Sequence, residues 1–148
     1  MLGRTHLLFG LLLSLLALNI FFIEYTFLFV ALVLLGSLFP DIDESSSIIG
    51  RKVKVVSWLF SHRGFFHSLY PTVFFSLLLY LFFGFVYALA FFGGAFFHLV
   101  LDSFTKRGVS IFWFDRRIKG FFVSGGLFEL VIDLILVLCN VYLAIILL

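Results

Sequence analysis

Ser61-His62-Arg63-Gly64-Phe65-Phe66-His67-Ser68 places two histidines around an Arg-Gly pair, just ahead of a long apolar run. The chain has four histidines in all, and the other two, His6 and His98, also stand where apolar runs begin or end. Carboxylates keep them company. Asp41 and Asp43 follow Pro40, and Asp102 follows His98 by four residues. Residues four apart share one helix face, so His98 and Asp102 should point the same way. Ionisable groups inside a membrane helix are costly and face a partner within the bundle. A divalent cation is such a partner. Imidazole suits zinc, manganese, iron, nickel or copper, and carboxylate adds manganese or magnesium. A His/Asp set without cysteine is closer to a catalytic or multi-metal hydrolase centre than to a structural zinc site.

The elements that must position these residues are membrane spans. The 148 residues are 64% hydrophobic and 12% charged, with 24 Phe. Runs of about 20 apolar residues read as transmembrane helices. The expected fold is an all-α polytopic bundle of about five such helices, a single membrane-embedded domain over 1–148 with two interfacial connections. There is no acidic or basic tail, so nucleic acid is not an expected partner; the lipid bilayer is. The lone Cys139 permits no internal disulfide and no cysteine zinc knuckle, and is expected to be a buried packing thiol. The first apolar run continues past Asn19 to Ile23 without a small-residue cleavage pattern, so it reads as a span and not a signal peptide.

The expected helices are Thr5–Ile23, Thr26–Phe39, Leu69–Leu81, Val86–Phe104 and Leu127–Leu147. Pro40 should end the second. The run over 69–104 is too long for one span, and Phe82-Phe83-Gly84-Phe85 is the expected turn. Gly93, Gly94 and Ala95 offer a small face for close helix packing. Val53, Val55, Val56 and Trp58 suggest an interfacial stretch. Val109, Ile111 and Trp113 suggest a short hairpin around Asp115-Arg116, and Ser68 reads as a helix N-cap.

Five alternating spans put every histidine, and every acid except Glu24, at one membrane face. All ten Lys and Arg fall there too. The positive-inside rule makes that face cytoplasmic. The chain should then be integral to an inner or plasma membrane, with a cytoplasmic N-terminus and an external C-terminus.

His6, Pro40-Asp41-Ile42-Asp43, His62-Arg63-Gly64-x-x-His67-Ser68, and His98-x-x-x-Asp102 followed by Thr105-x-x-Gly108 and Phe112-Trp113 occur in order over nearly the whole chain. The set resembles the YdjM-like family of membrane-bound metal-dependent hydrolases. That family is similar at a distance to zinc-dependent phospholipase C and P1 nuclease. Phe66 stands where the family often has Thr, and Phe114 where it often has Pro.

The resulting expectation is a metal-dependent hydrolase facing the cytoplasm, acting on a lipid or other phosphoester. His6, Asp41, His62, His67, His98 and Asp102 are the expected ligands, with zinc first and manganese or magnesium as alternatives. Asp43, Arg63 and Glu129 are the expected catalytic helpers. Asp43 would bridge or lie just outside the ligands. Arg63 would clamp a phosphate, which matches the planar guanidinium, or anchor to headgroups. Glu129, with Asp133 four residues on, would be a general base, a further ligand or a partner for Arg63. Two rival readings stay open: a scaffold with a structural metal, and a metal or proton transporter, which calls for ligands near the bilayer midplane.

Overall fold

The computed structural model describes residues 1–45, 47, 50–53, 58, 64–112 and 116–147. Among these residues the chain forms five α-helices: α1 (Gly3–Ile20), α2 (Thr26–Leu38), α3 (Leu69–Phe83), α4 (Phe85–Ser103) and α5 (Leu127–Leu147). Two 3-10 turns, Phe39–Asp43 and Phe65–His67, link α2 to α3. Four stretches are long and apolar enough to cross a membrane, and the 15-residue α3 is shorter. At about 1.5 Å per residue α3 covers only about 22 Å, short of the ~30 Å hydrocarbon core.

The packing is polar inside and apolar outside. Phe22 is 98% exposed and Phe27 93%, whereas His67, Thr5 and Thr72 are fully enclosed. A water-soluble protein does not leave so much contiguous apolar surface bare; here the bilayer is the solvent. The apolar core is small, built from Phe29, Leu32 and Val33 of α2 against Ala90 and Phe91 of α4.

Glycine lets α2 and α4 meet backbone to backbone. A Cβ on Gly36 would lie 2.2 Å from the Phe91 carbonyl oxygen, and one on Gly94 would lie 2.1 Å from that of Val33. Gly93 meets nothing and plays no part in this contact. Because both obstacles are backbone atoms, Gly36→Ala or Gly94→Ala must push the helices apart. Overpacking of this kind costs about 1–3 kcal/mol. Thermal unfolding of detergent-solubilised protein should show a clear drop, and an unchanged midpoint would refute the close contact.

Several boundaries differ from the sequence expectation. α1 starts at Gly3, not Thr5, because the Leu2 amide donates to Glu129 Oε1 at 2.5 Å. It stops at Ile20, where Phe21 turns extended (φ −119°, ψ 139°). α2 ends at Leu38, and the chain tightens into the Phe39–Asp43 turn, since Pro40 has no N–H to continue the α-helical ladder. The expected α3–α4 turn narrows to the single residue Gly84, whose φ of 86° is one that residues with a Cβ rarely adopt. Ser68 occupies the N-cap position of α3, but its hydroxyl donates to the Phe65 carbonyl at 2.7 Å instead of capping a helix amide. Cys139 is exposed on the outer side of α5, not buried. α5 packs on α1 through Glu129, Asp133, Leu136 and Asn140 instead.

The turn of the expected hairpin, Trp113, Phe114 and Asp115, lies outside the described residues; on either side of it Val109 and Ile118 form an isolated antiparallel bridge, and Thr105 and Phe122 a parallel one. Val55 and Val56 of the expected interfacial stretch also lie outside the described residues, while Trp58 is 84% exposed.

Candidate metal centre

The helices run up and down, so the start of α1, the end of α2, the start of α3 and the end of α4 gather at one end of the bundle. α1 contributes His6, and the turn after α2 contributes Asp41 and Asp43. The turn before α3 contributes His67, and the last turns of α4 contribute His98 and Asp102. His6, His67, His98 and Asp102 are each no more than 1% exposed.

Their donor atoms face one another. His6 Nε2 lies 3.4 Å from Asp102 Oδ1. Asp41 Oδ1 lies 3.5 Å from His67 Nε2 and 3.6 Å from His98 Nε2. His67 Nε2 lies 4.0 Å from Asp102 Oδ2. Good hydrogen bonds fall at about 2.7–3.2 Å, so these separations are too long for that. They match another geometry. Ligands about 2.1 Å from a tetrahedral zinc stand about 3.4 Å from one another. Two overlapping sets, His6–His98–Asp102 and Asp41–His67–His98, have all donor atoms within 4.8 Å of each other.

The ring nitrogens argue the same way. His6 Nδ1, His6 Nε2 and His98 Nε2 are buried with no hydrogen-bond partner. Buried polar groups are nearly always paired, so such atoms at the centre of a carboxylate cluster fit a cation. His98 Nδ1 donates to the Ser37 carbonyl at 2.7 Å, which leaves the Nε2 lone pair facing inward. With one lone pair, His98 serves one ion only, although it belongs to both sets. The His6 ring stacks on it at 3.7 Å, nearly parallel at 15°.

Asp43 takes a different place. Its Oδ2 meets His67 Nδ1 at 3.3 Å, on the far edge of the ring from Asp41. A carboxylate behind a ligating histidine fixes the tautomer and aims the other nitrogen. Burial disfavours the charged ring of His67, but pairing with Asp41 and Asp43 outweighs it and raises the pKa to about 9. In the metal-free protein that raised value adds stability fully present below the unfolded pKa of about 6.5 and lost as pH rises through about 9. A cation must displace the same proton. Metal affinity is therefore expected to rise about tenfold per pH unit over that window. Calorimetry in buffers of different ionisation heat should detect one proton released per ion bound; no release would contradict a ligating His67.

Glu129 and Asp133 build a separate clasp. Glu129 accepts from the Leu2 and Gly125 amides, both at 2.5 Å, and from Thr5 Oγ1 at 2.7 Å. Asp133 accepts from Arg4 Nε at 2.7 Å, and its Oδ1 stands at the same distance from Thr5 Oγ1, whose single proton is shared between the two carboxylates. These bonds hold the start of α1 against α5 and so seat His6. The Met1 amino group donates to Asp102 Oδ1 beside them. His62 and Arg63 lie outside the described residues. The sequence reading missed the Ser37 carbonyl and the Thr5 hydroxyl. A main-chain acceptor leaves no signal in residue type, but Thr5 next to His6 was visible.

A buried His/Asp cluster at one end of an apolar helical bundle defines a polytopic membrane protein with a candidate metal centre. The family described as YdjM inner membrane protein matches residues 1–148, and the chain belongs to it. It is an integral membrane protein. No curated protein and no solved structure matches the chain, so kinship with phospholipase C or P1 nuclease is not shown.

Proposed function

We propose that this protein is a membrane-bound metal-dependent hydrolase acting on a lipid phosphoester. The observation that supports it most is the convergence of Asp41, His67, His98, Asp102 and His6 from four segments, with ring nitrogens left unbonded at the centre. These residues would hold a divalent ion, zinc first by donor type, with manganese or magnesium as alternatives. When bound, the ion supplies Lewis acidity that polarises a scissile bond and lowers the pKa of water. The chain's own residues do the rest. Asp43 and the Ser37 carbonyl aim the two imidazoles, and the surrounding burial limits competing water. His62 and Arg63 belong to the same reading as a further ligand and a phosphate clamp. Glu129 acts through the clasp that seats His6.

The lipid substrate rests on position. An apolar cavity of about 450 Å³ opens between α1, α2 and α4. Its lining runs from Phe21, Phe22 and Phe85 at the end of the bundle away from the cluster to Val33, Gly94 and Phe97 on the side nearer it. An acyl chain suits such a space, and the reacting phosphoester would lie at the membrane surface. The cluster's place at one end of the bundle favours this over transport, which needs ligands near the midplane.

The test is turnover of a phospholipid or a chromogenic phosphodiester by purified protein, with and without chelator. Metal-dependent release is the expected result. Stoichiometric metal with no turnover across phosphoester classes would favour a structural metal.

The same reading puts the cluster at the cytoplasmic face, since by helix order the eight described Lys and Arg fall at the cluster's end of the bundle. A reporter fused after Leu148 should be active only when it functions outside the cytoplasm. Activity of a cytoplasm-only reporter would reverse the orientation.

A further inference from the structure

The connection from α4 to α5 has two unlike edges. Its inner edge belongs to the metal centre. Thr105 and Val109 are fully buried and Ser110 is 6% exposed. The Thr105 hydroxyl donates to the Asp102 carbonyl at 2.7 Å, and the Leu69 amide, two residues after His67, donates to the Ile111 carbonyl at 2.9 Å. The two arms are tied by Lys106 to Phe122 at 2.8 Å, Gly120 to Thr105 at 3.0 Å and Ile118 to Val109 at 2.9 Å. Gly108 has a φ of 66°, and a Cβ there would lie 2.3 Å from the Ile118 carbonyl oxygen. The arms are therefore held in one conformation.

The outer edge is cationic and apolar together. Lys106, Arg107, Arg116, Arg117 and Lys119 are all exposed. Residues 104–122 contain a single acid, Asp115. Lys106, Arg107, Arg117 and Lys119 have no acidic partner among the described residues. Between them, Phe112 is 53% exposed, Ile118 48% and Phe121 71%. Only residues 104–126 separate two membrane-embedded helices, so this edge must lie near the headgroup layer.

We propose that the outer edge of this connection is a binding surface for anionic phospholipid headgroups. The cations complement phosphate groups that carry net negative charge, and the exposed Phe and Ile side chains enter the acyl boundary beneath them. A basic segment beside a membrane span gains about 1 kcal/mol per Lys or Arg from an anionic surface, or about fivefold each. Because the inner edge contacts the Asp102 and His67 segments, a lipid held on the outer edge sits next to the candidate metal centre. The inference does not depend on turnover.

The test uses the full chain in phosphatidylcholine nanodiscs with and without phosphatidylglycerol, followed by native mass spectrometry of the lipids retained. The wild type should keep phosphatidylglycerol in preference to phosphatidylcholine, and added salt should weaken the preference. Lys106→Gln, Arg107→Gln, Arg117→Gln and Lys119→Gln should each reduce it by about fivefold, and the quadruple variant should abolish it. Equal retention of the two lipids by the wild type would overturn the proposal without any variant. So would an unchanged preference in a quadruple variant whose unfolding midpoint matches the wild type.

Discussion

Asp102→Ala and His98→Ala should each strip the bound metal from the purified protein while leaving it inserted in the membrane. Asp102 faces His6 through Oδ1 and His67 through Oδ2, so its loss removes a carboxylate that touches both candidate sets. His98 belongs to both sets by geometry, and its backing hydrogen bond to Ser37 already points Nε2 at the cluster. Removing a group behind a ligand typically weakens metal binding by 10- to 100-fold. Loss of a direct ligand should exceed about 100-fold, and turnover should fall with it. Asp102→Asn is the sharper variant, since it keeps the shape and removes the charge. Insertion should survive because the spans owe their membrane affinity to apolar surface, which neither residue supplies. Normal metal content in both alanine variants would make these residues mere packing groups.

Asp43→Ala should weaken metal binding by about 10- to 100-fold without abolishing it. Asp43 is 2% exposed and meets His67 on the ring edge away from Asp41. Without it the imidazole keeps its donor atom but loses the contact that sets tautomer and tilt. Asp43→Asn should recover part of the loss, because an amide oxygen still accepts from Nδ1. Competition against a fluorescent zinc chelator separates the alternatives. A loss as deep as that of Asp102→Ala would make Asp43 a ligand. No loss in either variant would remove it from the centre.

Much of the fold was legible because apolar runs long enough to span a bilayer admit few other structures. α5 has the bounds expected from sequence, Leu127–Leu147, since Gly125-Gly126 precedes it and nothing interrupts the run. What was hidden is non-local. The start of α1 is set by Glu129, 127 positions from Leu2, and no local pattern reports that. The outward face of Cys139 follows from α5 using its polar stripe to meet α1, a choice visible only once Thr5, Arg4 and Leu8 are opposite it.

The candidate site was legible for a related reason. Histidine and aspartate are so out of place among Phe and Leu that position alone singles them out. His6, Asp41, His67, His98 and Asp102 could be gathered by counting helices. The difference between Asp41 and Asp43 could not be, because it depends on which edge of the His67 ring each carboxylate meets.

Whether these side chains hold a metal is decided by elemental analysis of the wild-type protein and of His98→Ala, purified side by side without chelator. A stoichiometric divalent ion in the wild type and none in His98→Ala is the predicted result. A wild-type protein that stays metal-free after equilibration with zinc, manganese or magnesium would contradict it, as would a variant that retains the full complement.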